Sequence, residues 1–283
     1  MANILVTGGL GFIGSHLVDR LMLEHNSFDI DVVDDLSTGK WENISEVGGI
    51  YKIVDICNIF DEKGLAFDYD IIYHLAGVSR IQPSLKDPDR TIEVNVQGTS
   101  RICELARLTG AKLIYAGSCT RYEDTFLSPY SFSKWAGEEV CRMYHKVYGV
   151  PMAIARFHNV YGKRQMETGD FATVIGIFER QYKAGQPLTI TGRGTQKRDF
   201  VHVDDVVDGM IKMAENPLGN TYDLASGKSY SINEIAQMFN TEVEYIPARA
   251  GEDDVVFADI RDSIRDLNYK PKGDIRTYIN GLL

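Results

Sequence analysis

Through the first half of the chain, short runs of apolar and β-branched residues alternate with longer stretches whose apolar positions recur every three to four residues. The runs at 3–7, 29–34, 51–55, 71–75, 112–116 and 152–157 predict strands, each followed by glycine, aspartate or serine. Helical spacing predicts helices over 13–25, 91–109, 131–148, 171–184, 204–215 and 232–239. Strands separated by helices imply a parallel sheet with right-handed crossovers. Several strands are apolar almost throughout, as burial on both faces requires. The expected class is therefore α/β, a doubly wound parallel sheet. After Gly162 the alternation becomes irregular and glycine-rich, with short strands at 188–191 and 242–246, so a smaller α+β lobe is expected to begin there. Ser231-Ile-Asn-Glu234 has the spacing of a capping box and opens the last predicted helix.

Composition narrows the classes. A chain of 283 residues accommodates one large domain or two unequal ones, and 44% hydrophobic with 25% charged residues excludes a disordered or fibrous protein. The net charge of −10 disfavours nucleic acid and anionic membrane surfaces but not one small anionic ligand. Cys57, Cys103, Cys119 and Cys141 lack the C-x-x-C spacing and read as reduced, buried thiols, which points to the cytoplasm. The sequence predicts neither a membrane span nor an export signal.

Candidate chemistry begins at Thr7-Gly-Gly-Leu-Gly-Phe-Ile-Gly-Ser15, between the first predicted strand and helix. Its glycines fit G-x-G-x-x-G through Gly9, Gly11 and Gly14, and G-x-x-G-x-x-G through Gly8, Gly11 and Gly14. Either spacing lets a pyrophosphate approach a helix N-terminus. Asp34 lies twenty residues beyond Gly14 at the end of the second strand, where a carboxylate binds ribose hydroxyls and repels a 2′-phosphate. NAD is thus expected over NADP. Asp35 either caps the following turn or shares the task.

In Tyr130-Ser-Phe-Ser-Lys134 the phenol and the ammonium fall on one helix face. A nearby ammonium favours phenolate, which makes Tyr130 a candidate base. Ser118 ends the fifth strand, where open parallel sheets place ligand-binding residues. Strand alternation puts Ser118 and Thr120 on one side and Cys119 on the other, as a small buried hydrophobe. Ser118 is otherwise a turn residue that closes a strand.

With these motifs the chain resembles the extended short-chain dehydrogenase/reductase family, in its nucleotide-sugar epimerase and dehydratase branch, nearest in pattern to UDP-glucose 4-epimerase-like members. The matching blocks include TGGLGFIGS at 7–15, VVDDLSTG at 32–39, HLAG at 74–77, NVQGT at 95–99, YSFSK at 130–134, RFHNVYG at 156–162 and PLTITGRGTQKRDFVHVDD at 187–205. The resemblance implies a Rossmann domain over 1–162, with a return segment near 195–215, and a nucleotide-sugar lobe over 163–283. It implies NAD bound by Gly8, Gly11, Phe12, Ile13, Gly14, Asp34, Asp55, Ile56, Leu75, Ala76, Tyr130 and Lys134. Tyr130 is then the base, with Ser118 and Lys134 as its partners. A nucleoside diphosphate sugar is expected in the cleft, met by Ser118, Asn159, Arg198, Arg249 and Glu252; a guanidinium fork suits a diphosphate. No metal is called for.

In the family's 4,6-dehydratases and uronate decarboxylases, acidic residues stand where this chain has Cys119 or Thr120. In its reducing 3,5-epimerases a cysteine stands at Thr120. A 4-epimerase, which needs one base, fits what remains; another enzyme of the branch and a non-catalytic NAD-binding scaffold or sensor are the alternatives. The chain departs from the family in having only eleven residues between Ser118 and Tyr130. His158 is expected to be a satisfied core or pocket histidine. The apolar stripe Ala136, Val140, Met143, Tyr144 and Val147 packs against the sheet, pairs with the 91–109 helix of a second subunit in the family's homodimer, or does both.

Overall fold

A computed structural model describes residues 2–24, 29–44, 50–65, 67–122, 124–215, 219–248 and 258–283. In chain order the elements are β1 (Asn3–Thr7), α1 (Phe12–Glu24), β2 (Asp29–Asp34), β3 (Tyr51–Ile53), β4 (Ile71–His74), α2 (Ile81–Lys86), α3 (Pro88–Ile92), α4 (Thr99–Thr109), β5 (Lys112–Ser118), α5 (Pro129–Tyr148) and β6 (Met152–Phe157). They continue as β7 (Asn159–Tyr161), α6 (Val174–Lys183), β8 (Leu188–Thr191), β9 (Lys197–His202), α7 (Val203–Glu215), β10 (Thr221–Leu224), β11 (Ser229–Ser231), α8 (Ile232–Met238), β12 (Val243–Ile246), α9 (Arg261–Leu267) and α10 (Ile275–Asn280).

Seven strands form one parallel sheet in the order β10-β6-β5-β4-β1-β2-β3. Strand order reverses between β1 and β4, so a crevice opens at their C-terminal ends, beyond Thr7 and His74. Both faces are covered. Along β1, Ile4 and Val6 join a core with Leu17, Val206 and Met210 of α1 and α7, whereas Leu5 joins another with Ile102, Leu105 and Cys141 of α4 and α5. A third core, with Phe178, Leu188, Phe200, Ile235 and Ile279, binds α6, β8, β9, α8 and α10 into a smaller layer. This layer carries a three-stranded sheet, β11-β9-β7, and a two-stranded one, β12-β8. The capping box of α8 is present: Ser231 Oγ accepts the Glu234 amide at 3.1 Å, and Glu234 Oε2 accepts the Ser231 amide at 2.7 Å.

The fold differs from the periodicity in several places. The helix expected over 91–109 is three pieces, α3, a π turn over Glu93–Gly98 and α4, because Asp87 caps a new start at Pro88 and the π turn inserts an extra residue. The apolar stripe of α5 is divided: Val140 and Tyr144 pack against the core that contains Leu113, Tyr115 and Ile154 of β5 and β6, while Met143 and Val147 turn outward. The fully buried residues of α5 are the small or polar Ser131, Ser133, Lys134, Gly137, Glu138 and Cys141, while Met143 and Val147 are exposed, as is Leu108 on α4. Two of the four thiols, Cys57 and Cys119, are only half-buried; Cys103 and Cys141 are buried with their sulfurs 3.7 Å apart. Among the described residues no helix is long and apolar enough to cross a membrane.

Candidate active site

One cavity of about 760 Å³ follows the crevice from the β1–α1 turn, past β5 and α5, to β7 and β9. At the first end the chain approaches itself too closely for side chains. Gly8 has φ +68°, and a β-carbon there would lie 2.7 Å from the Ala76 amide nitrogen; one on Gly14 would overlap the Gly8 carbonyl oxygen. Gly11, Phe12 and Ile13 continue the cavity wall into the first turn of α1, where unpaired amides favour an anion.

Asp34 ends β2, 5% exposed, and its carboxylate accepts the amides of Leu10 at 3.0 Å and Leu36 at 2.9 Å. Burial raises its pKa, and the two amides oppose that rise. Asp35 is exposed and caps the turn, accepting the Ser37 amide at 2.9 Å. Asp55 accepts the Cys57 amide at 2.9 Å and the Arg90 guanidinium at 2.6 Å. Burial pushes its pKa up, but the amide and the guanidinium outweigh burial and hold it below the usual range. Ile56, Leu75 and Ala76 complete this end. The β-carbon-free cradle, the helix N-terminus and a carboxylate at the end of β2 fit a dinucleotide.

The middle of the cavity is set by β5 and α5. Ser128 caps α5 by accepting the Ser131 amide at 3.1 Å, and Pro129 takes the first helical position, so Tyr130 lies in the opening turn. The Tyr130 hydroxyl donates to Ser118 Oγ at 3.4 Å, and Thr120 Oγ1 donates to the same oxygen at 3.0 Å. One turn on, Lys134 is buried and its ammonium donates to the Ala116 carbonyl at 3.0 Å. Burial lowers its pKa to about 8 against the opposing charge of Glu138. Glu138 is held by Arg156 at 2.7 and 3.0 Å and by Arg142 at 3.1 Å. The arrangement joins a phenol, a hydroxyl and an ammonium in one water-poor wall, a set suited to moving a proton on and off an alcohol.

Cys119 departs from the expected alternation. β5 ends at Ser118 and the chain enters a 3-10 turn over Cys119–Tyr122, so Ser118, Cys119 and Thr120 all border the cavity. His158 is not a satisfied histidine: its ring is buried, Nε2 lies 3.5 Å from Asp223, and neither nitrogen has a hydrogen-bond partner among the described residues.

At the far end Asn159 on β7 donates to the Asp199 carbonyl at 3.3 Å, and Arg198 on β9 lines the same wall. Arg249 and Glu252 lie outside the described residues. Three cavity neighbours escaped the sequence reading. Arg90 binds Asp55 and also Glu93, at 2.7 Å. Asn95, in the π turn, brackets Val78 with bonds of 2.8 and 2.9 Å and reaches Ser133 at 2.9 Å. Arg80 lines the cavity at φ +82°. The NVQGT block contains Asn95, but nothing local marks its partners; no sequence signal identifies the other two.

The sequence profile of the NAD dependent epimerase/dehydratase family matches residues 4–225. The UDP-glucose 4-epimerase of Mycolicibacterium smegmatis is 35% identical over 276 residues, covering 88% of this chain and 87% of that protein. UDP-glucuronic acid decarboxylase 1 of Danio rerio is 28% identical over 292 residues, covering 95% of this chain and 69% of that protein. Among solved structures, the UDP-glucose 4-epimerase of Thermotoga maritima with UDP-glucose is similar at TM-score 0.90 and 27% identity, over 98% of this chain and 96% of that one.

Proposed function

The chain belongs to the NAD dependent epimerase/dehydratase family, and we propose that it inverts C4 of a nucleotide sugar of the UDP-hexose type. Its cofactor is NAD. The observation that carries the reading is the Tyr130–Ser118 contact at 3.4 Å beside buried Lys134, followed by a cysteine and a threonine and not by an acid.

Gly8, Gly11, Phe12, Ile13 and Gly14 hold the pyrophosphate, Asp34 the ribose, Asp55 and Ile56 the adenine end, and Leu75, Ala76, Tyr130 and Lys134 the nicotinamide end. Bound there, NAD would supply reversible hydride transfer at C4. Tyr130 takes the proton of the C4 hydroxyl, which leaves a 4-keto sugar, and gives it back to the alkoxide once the sugar presents its other face. Ser118 Oγ orients the C4 oxygen, and the Lys134 ammonium favours the phenolate. Arg198 and Arg249 anchor the diphosphate, with Asn159 and Glu252 nearby, while the hexose turns. The active unit in this reading is a cytoplasmic homodimer formed through the exposed apolar residues Leu108, Met143 and Val147.

A second reading, uronate decarboxylation or dehydration, draws support from the Danio rerio decarboxylase and from the eleven-residue connection between Ser118 and Tyr130. Incubation with UDP-, GDP- and dTDP-sugars followed by product analysis separates the readings. A C4-inverted product supports epimerisation; a 4-keto-6-deoxy or decarboxylated product replaces it with the second reading; no product from any sugar favours a scaffold.

A further inference from the structure

Behind the Tyr130 wall lies a fully buried histidine that the proposed reaction leaves unused. His74 ends β4 with Nδ1 2.7 Å from Thr7 Oγ1 and Nε2 3.1 Å from Thr99 Oγ1. Its neighbours determine the tautomer. Thr99 Oγ1 donates its single proton to the Asn95 carbonyl at 2.7 Å, so it must accept from the ring, and Nε2 carries the hydrogen. Nδ1 then accepts the Thr7 hydroxyl, whose oxygen in turn accepts the Ala76 amide at 3.2 Å. Donation runs one way through the buried interior, from Ala76 through Thr7, His74 and Thr99 to Asn95.

Both ends of this chain touch the site. Thr7 precedes Gly8, and a β-carbon on Gly8 would lie 2.7 Å from the Ala76 amide nitrogen. Asn95 holds Val78 and Ser133, and a β-carbon added to Gly77 would lie 2.9 Å from its side-chain oxygen and 3.4 Å from Lys134 Nζ. The amide and the ammonium therefore border one small space. Burial and the Lys134 charge depress the His74 pKa to about 3, and the Tyr115 ring packs 5.6 Å away, so the imidazole stays neutral.

We propose that His74 is a positioning residue: as a neutral Nε2–H tautomer it ties the glycine turn to the π turn that sets Asn95 against Lys134, and so fixes the spacing between cofactor cradle and proton-handling end. The inference rests on the roles given to Tyr130 and Lys134 above.

The test uses the full chain with His74→Gln and His74→Phe. A carboxamide offers an acceptor and a donor at nearly the imidazole spacing; the phenyl ring fills the volume with neither. Nitrogen-15 spectra of the wild-type histidines should show an Nε2–H ring for His74 that does not change between pH 8 and pH 5. The phenylalanine variant should lose kcat by about tenfold, the effect of a modest barrier increase, with KM for the sugar nucleotide nearly unchanged and weaker NAD binding by fluorescence quenching. The glutamine variant should recover most of the kcat. An Nδ1–H or titrating ring overturns the proposal, as does a phenylalanine variant with parental kcat and NAD affinity, or a folded glutamine variant no better than phenylalanine. If the parent converts no sugar nucleotide, the functional reading fails, while tautomer and NAD affinity still decide this one.

Discussion

The two ends of the cavity are built from different materials. The cofactor end is backbone: two glycines that admit no β-carbon, the first amides of α1, and a carboxylate fixed by the Leu10 and Leu36 amides. The far end is side chain: Asn159 of β7 and Arg198 of β9 line it, on strands shared between the main core and that of the smaller layer. A backbone cradle tolerates one shape of ligand, because moving it means moving a strand. A wall of long side chains is retuned by single substitutions. One fold can thus keep one cofactor while its members act on different sugars.

The sharpest way to test this division is at the junction. Tyr130→Phe removes the proton acceptor but leaves the glycine cradle, Asp34 and Arg198 in place, and turnover should fall by ~10²–10⁴-fold, the usual worth of positioned acid–base catalysis. NAD titration should be nearly unaffected. A mutant that epimerises like its parent would sink the assignment.

Next come one lesion at each end. Gly14→Ala forces a methyl onto the Gly8 carbonyl and should abolish NAD binding in a direct titration. Arg198→Ala should leave that titration unchanged but raise KM for the sugar nucleotide by roughly tenfold to a hundredfold, the loss of a charge-assisted hydrogen bond. Equal damage to both titrations would show that the ends are not independent.

Lys134 offers a pH test. With its pKa drawn down to about 8, the ammonium loses its proton above that pH, and kcat should decline there with an apparent pKa near 8. The stability effect has the opposite sign. Between pH 8 and the ordinary lysine range the unfolded chain binds the proton that the folded chain has released, so this group makes folding more favourable as pH rises. Activity and chemical-denaturation stability should therefore diverge over that window; a parallel fall would remove Lys134 as the cause.

The same division explains what could be read from the sequence. Asp34 was legible because its distance from Gly14 is a property of one strand–helix–strand unit. Strand alternation failed at Cys119 because the backbone turns into a 3-10 helix immediately after Ser118. Arg90 and Asn95 were not legible as site residues, since their partners Asp55 and Ser133 lie 35 and 38 positions away and meet them only after the sheet and helices assemble. β10 was missed because four residues carry too little period to stand out; it becomes a strand by pairing with β6. Arg249 and Glu252 lie outside the described residues, so of the side chains proposed to meet the sugar nucleotide at the far end, only Arg198 and Asn159 are among those described.

The smallest predicted effect compares one chemical lesion in two helices. Ser128 and Ser231 each cap a helix by accepting an amide hydrogen at 3.1 Å, from Ser131 and Glu234 respectively. Losing either serine hydroxyl to alanine should cost ~1 kcal/mol of stability. The consequences for turnover should separate. Ser128 opens α5, two residues before Tyr130, and fraying that turn lets the phenol drift from Ser118. Ser231 opens α8, whose buried Ile232 and Ile235 belong to the core of the smaller layer and which carries none of the proton-handling residues. Ser128→Ala should therefore lower kcat several-fold at unchanged NAD affinity, and Ser231→Ala should lower the melting temperature by a similar amount with kcat intact. If both caps cost the same in kcat, the two layers share one rigidity and the ends of the cavity are not independent.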